Sequence, residues 1–215
     1  MPEVIIGGES FNFEAQDKTL RDLLRRTWDM LRDRYLPKIL EPIKDGHETH
    51  SVQWWTYIIN NFFRAPEYLV ACEGQPGGSN DLRRVDLVVK KFEERERALF
   101  TVFFLEAKGA SASGDKISEV KSQAFSAAYA HLTEPGKDRD DMWTISCIGT
   151  GFRLWVLSMR EQNFSLPVCP ENWNIGEKGE YLDSNSPTYE IVDIMGYIME
   201  NPEPPKSLVA ALLRS

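Results

Sequence analysis

RVDLVVK (residues 84–90) and ALFTVFFLEAK (residues 98–108) carry the pattern on which the predicted fold depends. Both are rich in β-branched and aromatic residues, which favour strands, and the charged run at residues 93–97 separates them. Strands joined by so short a connection pair as an antiparallel hairpin. We therefore predict a β-hairpin over residues 84–108.

Side chains alternate between the two faces of a strand, and this places three polar residues of the hairpin. Asp86 is expected beside Val88 on one face of the first strand. The opposite, apolar face of that strand is expected to hold Val85, Leu87 and Val89. Glu106 and Lys108 lie two positions apart on the second strand and therefore share a face. The hairpin is thus expected to bring two acids and one amine together.

Such a trio has a direct chemical use. Two carboxylates supply the hard oxygen ligands that Mg²⁺ prefers, and a lysine ammonium orients an attacking water or stabilises charge on a phosphate. The competing interpretation is a cross-strand ion-pair cluster on a solvent-facing sheet, which does no chemistry. The flanking residues favour the site, because they are typical of a buried strand, where unpaired charge is costly.

Periodicity predicts the elements around the hairpin. Asp17 is a plausible N-cap for a helix through residue 35, which Pro37 and Pro42 end, and a loop containing His47 and His50 follows. We predict further helices over residues 51–63, 115–132, 189–199 and 207–213. Further strands are predicted over residues 68–72, 143–148 and 152–158. The 215 residues are expected to form a single α/β domain.

The order of these features resembles the PD-(D/E)xK nuclease superfamily. An acid on a strand is followed by a hairpin turn, by Glu106-Ala107-Lys108 at the end of an apolar strand, and then by a loop and a helix. The resemblance implies a restriction endonuclease-like αβββαβ core, with a mixed central sheet flanked by helices. The core would cover residues 51–158, between an N-terminal helical extension (1–50) and a C-terminal extension (159–215). Similar domains occur in fungal proteins of uncertain role, often beside kinase-like modules.

The resemblance also implies roles for individual residues. Asp86 and Glu106 would be ligands of Mg²⁺ or Mn²⁺, and Lys108 would be the catalytic lysine. Gln123, on the helix after the motif, would match a polar helper seen in some branches, although an exposed helix residue is an equally good interpretation. Glu73 is a weaker further acid, for which a surface role is favoured. The sequence departs from the pattern at Val85, where the family name places a proline.

Composition restricts the class of protein. The net charge of −8 excludes a general basic surface that coats nucleic acid, so phosphate contacts must be local. Lys108, Lys116 and Lys121 could form a cationic strip, although solvated surface charge is the favoured interpretation of each one. The 3 cysteines lack CxxC spacing, which argues against a disulfide framework or a structural zinc site.

The N-terminus resembles no signal peptide, and no apolar run reaches the roughly 18 residues that a membrane span needs. An intracellular protein, cytoplasmic or nuclear, is expected, without a membrane partner. The predicted function is metal-dependent hydrolysis of phosphodiesters in DNA or RNA. The alternative is a catalytically inactive binding or interaction module on the same fold. A homodimer or a fused partner domain remains open.

Overall fold

The computed structural model describes residues 3–6, 9–12, 17–43, 46–74, 76, 84–95, 97–135, 139–160, 164–167, 181–185 and 189–214. It shows an α/β protein with a mixed sheet flanked by helices. The helices are α1 (Lys18–Arg34), α2 (Leu36–Ile43), α3 (Glu48–Phe62), α4 (Gly114–Leu132), α5 (Glu190–Glu200) and α6 (Lys206–Arg214). The strands are β1 (Glu3–Ile6), β2 (Glu9–Asn12), β3 (Tyr68–Gly74), β4 (Val85–Glu93), β5 (Ala98–Lys108), β6 (Asp141–Ile148), β7 (Gly151–Ser158), β8 (Phe164–Pro167) and β9 (Leu182–Asp183).

In the described residues the main sheet has seven strands, in the order β3-β4-β5-β6-β7-β8, with β9 also paired to β7. The pair β5–β6 is parallel, and the other pairs of this sheet are antiparallel. A parallel pair needs a crossover connection, and α4 supplies it between β5 and β6. The predicted hairpin is confirmed as β4 and β5, and β5 has the bounds that the sequence predicts.

Helices cover both faces of the sheet. The larger hydrophobic core joins one face to α1, α3, α5 and α6, and it contains Trp28, Trp54 and Trp55, each completely buried. Smaller clusters join the opposite face to α4 through residues such as Phe104 and Ala128. The central strand β5 is therefore buried on both sides beyond Phe100, which explains its nearly continuous apolar sequence. No helix in the described ranges is long and apolar enough to cross a bilayer.

The structure differs from the sequence prediction in the first 50 residues. Residues 36–43, predicted as a break and a loop, form α2, because Pro37 lies in the first turn, where its missing N–H costs nothing. The helix predicted over 51–63 begins earlier, at Glu48. A separate two-stranded sheet, β1–β2, precedes the helices, so this part of the chain is not purely helical.

The predicted face of Val85 is wrong. Leu87 and Val89 belong to the larger core, as expected, but Val85 lies with Val88 in the cluster beneath α4. A Cβ added to Gly74 would meet both valines, which places them on the same side of the sheet. The β4–β5 ladder stops at the pair Leu87–Leu105, so regular alternation is lost at Asp86.

Candidate active site

Asp86 meets the end of β5 at the point where the β4–β5 ladder stops. Its Oδ2 accepts a hydrogen bond from the backbone N–H of Ala107 at 2.8 Å. A side-chain oxygen therefore replaces the backbone carbonyl that a continued ladder would supply. This bond fixes the Asp86 carboxyl beside Glu106, the residue before Ala107.

The carboxyl groups of Asp86 and Glu106 are hydrogen-bonded to each other. Glu106 is 4% exposed. The pKa of Glu106 is raised to about 9, first by burial and then by the charge of Asp86 and the hydrogen bond to Asp86. Burial also raises the pKa of Asp86, against the hydrogen bonds from Ala107 and Glu106 and the charge of Lys108. At neutral pH the two carboxyls therefore hold one proton between them.

Lys108 is held in its charged form. Its Nζ donates to Oε1 of Glu48 at 2.8 Å, and the lysine side chain is only 9% exposed. Burial alone would lower the pKa of Lys108, but the hydrogen bond to Glu48 and the charges of Glu48, Asp86 and Glu106 outweigh burial and raise it. The three predicted residues and Glu48 thus form one electrostatic cluster.

Glu48 reaches this cluster because two loops pack closely. A Cβ added to Gly109, the residue after Lys108, would overlap the carbonyl oxygen of Gly46. The hydroxyl of Ser111 donates to that same carbonyl at 3.1 Å. Only a glycine at 109 lets the loop before α3 approach the end of β5 this closely. The first turn of α3 therefore lies beside the end of β5.

Sequence reasoning missed Glu48. It lies in the segment predicted as an extension outside the core, and its partner is 60 positions away in the chain. An acid at the start of a helix is ordinarily explained by its favourable interaction with the helix dipole. The sequence therefore contains no signal that selects Glu48 for the site.

Gln123 lies on α4 and is not bonded to the trio. Within the described residues its Nε2 donates to Oε1 of Glu119 at 3.2 Å, and its buried Oε1 has no hydrogen-bond partner. It borders a cavity of about 340 Å³, which Arg84 and Val85 also line. Neither Asp86 nor Glu106 is among the residues that line this cavity.

Glu73 has an exposed side chain, and in the described part of the chain no hydrogen bond or ion pair joins it to the trio. The three lysines of the predicted cationic strip have different neighbours. Lys108 pairs with Glu48, and Lys116 pairs with Glu119 at 2.6 Å. Lys121 lies instead over two aromatic rings.

Over the ranges that the structure describes, no group of three or more His, Cys, Asp or Glu side chains is arranged to hold a metal ion. The side-chain donors suited to a cation at this site are the two carboxyls of Asp86 and Glu106, since Glu48 is bonded to Lys108. Comparisons with family models, curated proteins and solved structures found no match for this chain.

Proposed function

We propose that this protein is a metal-dependent phosphodiesterase that cleaves DNA or RNA, with a restriction endonuclease-like core. The observation that carries the proposal is the pair of the half-buried Asp86 and the buried Glu106, hydrogen-bonded to each other beside the charged Lys108. A pair of buried acids costs stability unless something positive is bound there, and such groups concentrate at functional sites.

The order of elements supports the fold part of this proposal. From α3 onward the chain runs α3, β3, β4, β5, α4 and β6, the αβββαβ order of the PD-(D/E)xK superfamily. The acid lies at the start of β4, and the Glu-Ala-Lys sequence ends β5.

The two carboxyls fit a small hard cation. Because they already share one proton, Mg²⁺ or Mn²⁺ bound between Asp86 and Glu106 would replace that proton and neutralise both groups. Two protein carboxylates with water in the remaining positions are a common way to bind Mg²⁺. When bound, the cation would polarise a phosphoryl oxygen and lower the pKa of a water molecule.

The chain's own residues supply the other requirements of hydrolysis. Lys108 stays protonated, so its role is to orient water or to stabilise negative charge on the phosphate; it is not a general base. Glu48 fixes the position of that ammonium through their hydrogen bond. Asp86 is fixed in turn by the amide of Ala107.

Cleavage assays test the proposal directly. The purified chain should cut single- or double-stranded DNA or RNA in the presence of Mg²⁺ or Mn²⁺, and Asp86→Asn, Glu106→Gln and Lys108→Met should each lower the rate at least roughly a hundredfold. Glu94 is an exposed acid in the turn of the same hairpin. Glu94→Gln is therefore the matched control and should retain the parent rate of cleavage. Absence of cutting on every substrate, or unchanged rates in the three variants, refutes the proposal.

The second candidate is a non-catalytic binding module. The neutralisation of Lys108 by Glu48 and the net charge of −8 favour it. Calorimetry separates the two candidates: a metal-dependent enzyme takes up Mn²⁺ at Asp86 and Glu106, and a protein that takes up none is a binding module.

A further inference from the structure

A row of buried polar residues leads away from Glu106 across the sheet. Glu106 is the register partner of Ser146 on β6, and Ser146 is the partner of Arg153 on β7. The three residues are 4%, 0% and 1% exposed. Register partners project from the same face of a sheet, here the face beneath α4. Two strand spacings, roughly 10 Å, separate the acid pair from the backbone of Arg153.

At the far end of this row, Arg153 and Lys121 place two positive charges against the ring of Trp155. The Cζ of Arg153 and the Nζ of Lys121 each lie 4.6 Å from the centroid of its ring. The indole N–H of Trp155 donates to the Ser146 hydroxyl at 2.9 Å, and that hydroxyl shares a 3.0 Å hydrogen bond with the hydroxyl of Tyr181. The ring that supports both cations is therefore held in place from the polar row.

Of Lys121 and Arg153, Lys121 is the one that solvent reaches. Its side chain is partly buried, and the Nζ also lies 5.1 Å from the ring of Phe125, one turn along α4. In the part of the chain that the structure describes, this ammonium forms no hydrogen bond or ion pair. Burial and the charge of Arg153 lower the pKa of Lys121 to about 8. A bound anion would relieve this unfavourable pairing of like charges.

We propose that Lys121 binds a backbone phosphate of the nucleic acid strand, next to the phosphodiester that is cut at Asp86 and Glu106. Arg153 is too deeply buried to touch that phosphate, and it acts as a fixed positive charge behind Lys121. A phosphate fits the place because Lys121 lies over Trp155, on the same strand as Arg153, and the Arg153 backbone is about 10 Å from the acid pair on the same face of the sheet. The inference rests on the proposed function, and it identifies how an acidic protein holds a polyanion locally.

Three variants isolate the charge of Lys121. Lys121→Met keeps an unbranched apolar chain on Trp155 and removes the charge, while Lys121→Arg keeps the charge. Lys206→Met removes an equal charge from an exposed position at the start of α6 and is the control. Short fluorescein-labelled DNA and RNA strands are the probes, with Ca²⁺ in place of Mg²⁺ so that binding is measured without cleavage.

We expect Lys121→Met to weaken binding about tenfold and to reduce the slope of log affinity against log salt by about 1. Lys121→Arg and Lys206→Met should keep the parent slope. An unchanged slope in Lys121→Met, or a parent that binds neither strand, overturns the inference. If Lys121 sets the slope but the parent never cuts with Mg²⁺ or Mn²⁺, the proposed hydrolysis alone fails. If cleavage requires Asp86 and Glu106 but the salt dependence of binding is the same in Lys121→Met as in the parent, this inference alone fails.

Discussion

The ammonium of Lys108 lies 2.8 Å from Oε1 of Glu48, although 60 positions separate the two residues in the chain. This contact joins the first turn of α3 to the end of β5. It also holds the positive charge of Lys108 close to the carboxyls of Asp86 and Glu106. The contact therefore makes the start of α3 part of the candidate site.

A double-mutant cycle between Glu48→Gln and Lys108→Met measures this contact. The Glu48 side chain is 51% exposed, so solvent screens the pair, and we expect a coupling energy of roughly 0.5–1 kcal/mol in the free energy of unfolding. Urea unfolding of the four proteins gives the value. Strictly additive effects would show that the ion pair contributes nothing to stability.

Gly109→Ala should separate the two loops that bring Glu48 to Lys108. The added methyl group overlaps the Gly46 carbonyl, and we expect a loss of about 1–3 kcal/mol of stability together with reduced cleavage. Gly114→Ala is the matched control, because a Cβ there meets nothing within 4 Å. Chemical denaturation measures the stability of the two variants. Equal stability of Gly109→Ala and Gly114→Ala would contradict the close approach of Gly109 to the Gly46 carbonyl.

The acid pair makes the stability of the metal-free protein depend on pH. The pKa of Glu106 is raised from its ordinary value of 4.5 to about 9, so the folded state keeps a proton that the unfolded state releases. Stability should therefore be greatest below about pH 4.5, as far as this group is concerned, and should fall as the pH rises from there towards 9.

Glu106→Gln removes that dependence. In the presence of a chelator, the variant should be more stable than the parent at pH 8, by roughly 1–3 kcal/mol, and the difference should shrink at pH 5. Urea midpoints at the two pH values provide the measurement. A parent that is at least as stable as Glu106→Gln at pH 8 would show that the acid pair is not strained.

Mn²⁺ should stabilise the folded protein through Asp86 and Glu106. At about ten times its Kd, the ion should raise the Tm by roughly 3–6 °C, because a ligand that binds only the folded state stabilises that state. Asp86→Asn should abolish the shift, and Glu94→Gln should preserve it. Thermal unfolding monitored by circular dichroism tests this, and an equal shift in Asp86→Asn would place the ion elsewhere.

Lys121 should reduce stability at neutral pH. Its pKa is lowered from 10.5 to about 8 by burial and by Arg153, so the unfolded state binds the proton more tightly than the folded state does. The parent should therefore gain stability as the pH rises from about 8 to 10.5. Lys121→Met should lack this gain, whereas Lys206→Met should show it. Urea midpoints at pH 7 and pH 10 decide between these outcomes.

Much of the fold follows from local patterns. The 3.6-residue periodicity and the Asp17 cap predict α1, and the β-branched run predicts β5 to the residue. Pro37 misleads, because a proline in the first turn of a helix and a proline that ends one look alike in sequence. Val85 misleads because alternation assumes a regular ladder, and the β4–β5 ladder stops at Leu87, before Asp86.

Local sequence is enough to place Glu106 and Lys108 on one face and Asp86 on the neighbouring strand, because pleat and hairpin pairing are local properties. Three contacts depend on the tertiary structure: the hydrogen bond between the two carboxyls, the pairing of Lys108 with Glu48 and the position of Lys121 over Trp155. They join segments far apart in the chain. Side-chain packing, helix placement and burial set such contacts, and no short stretch of sequence encodes them.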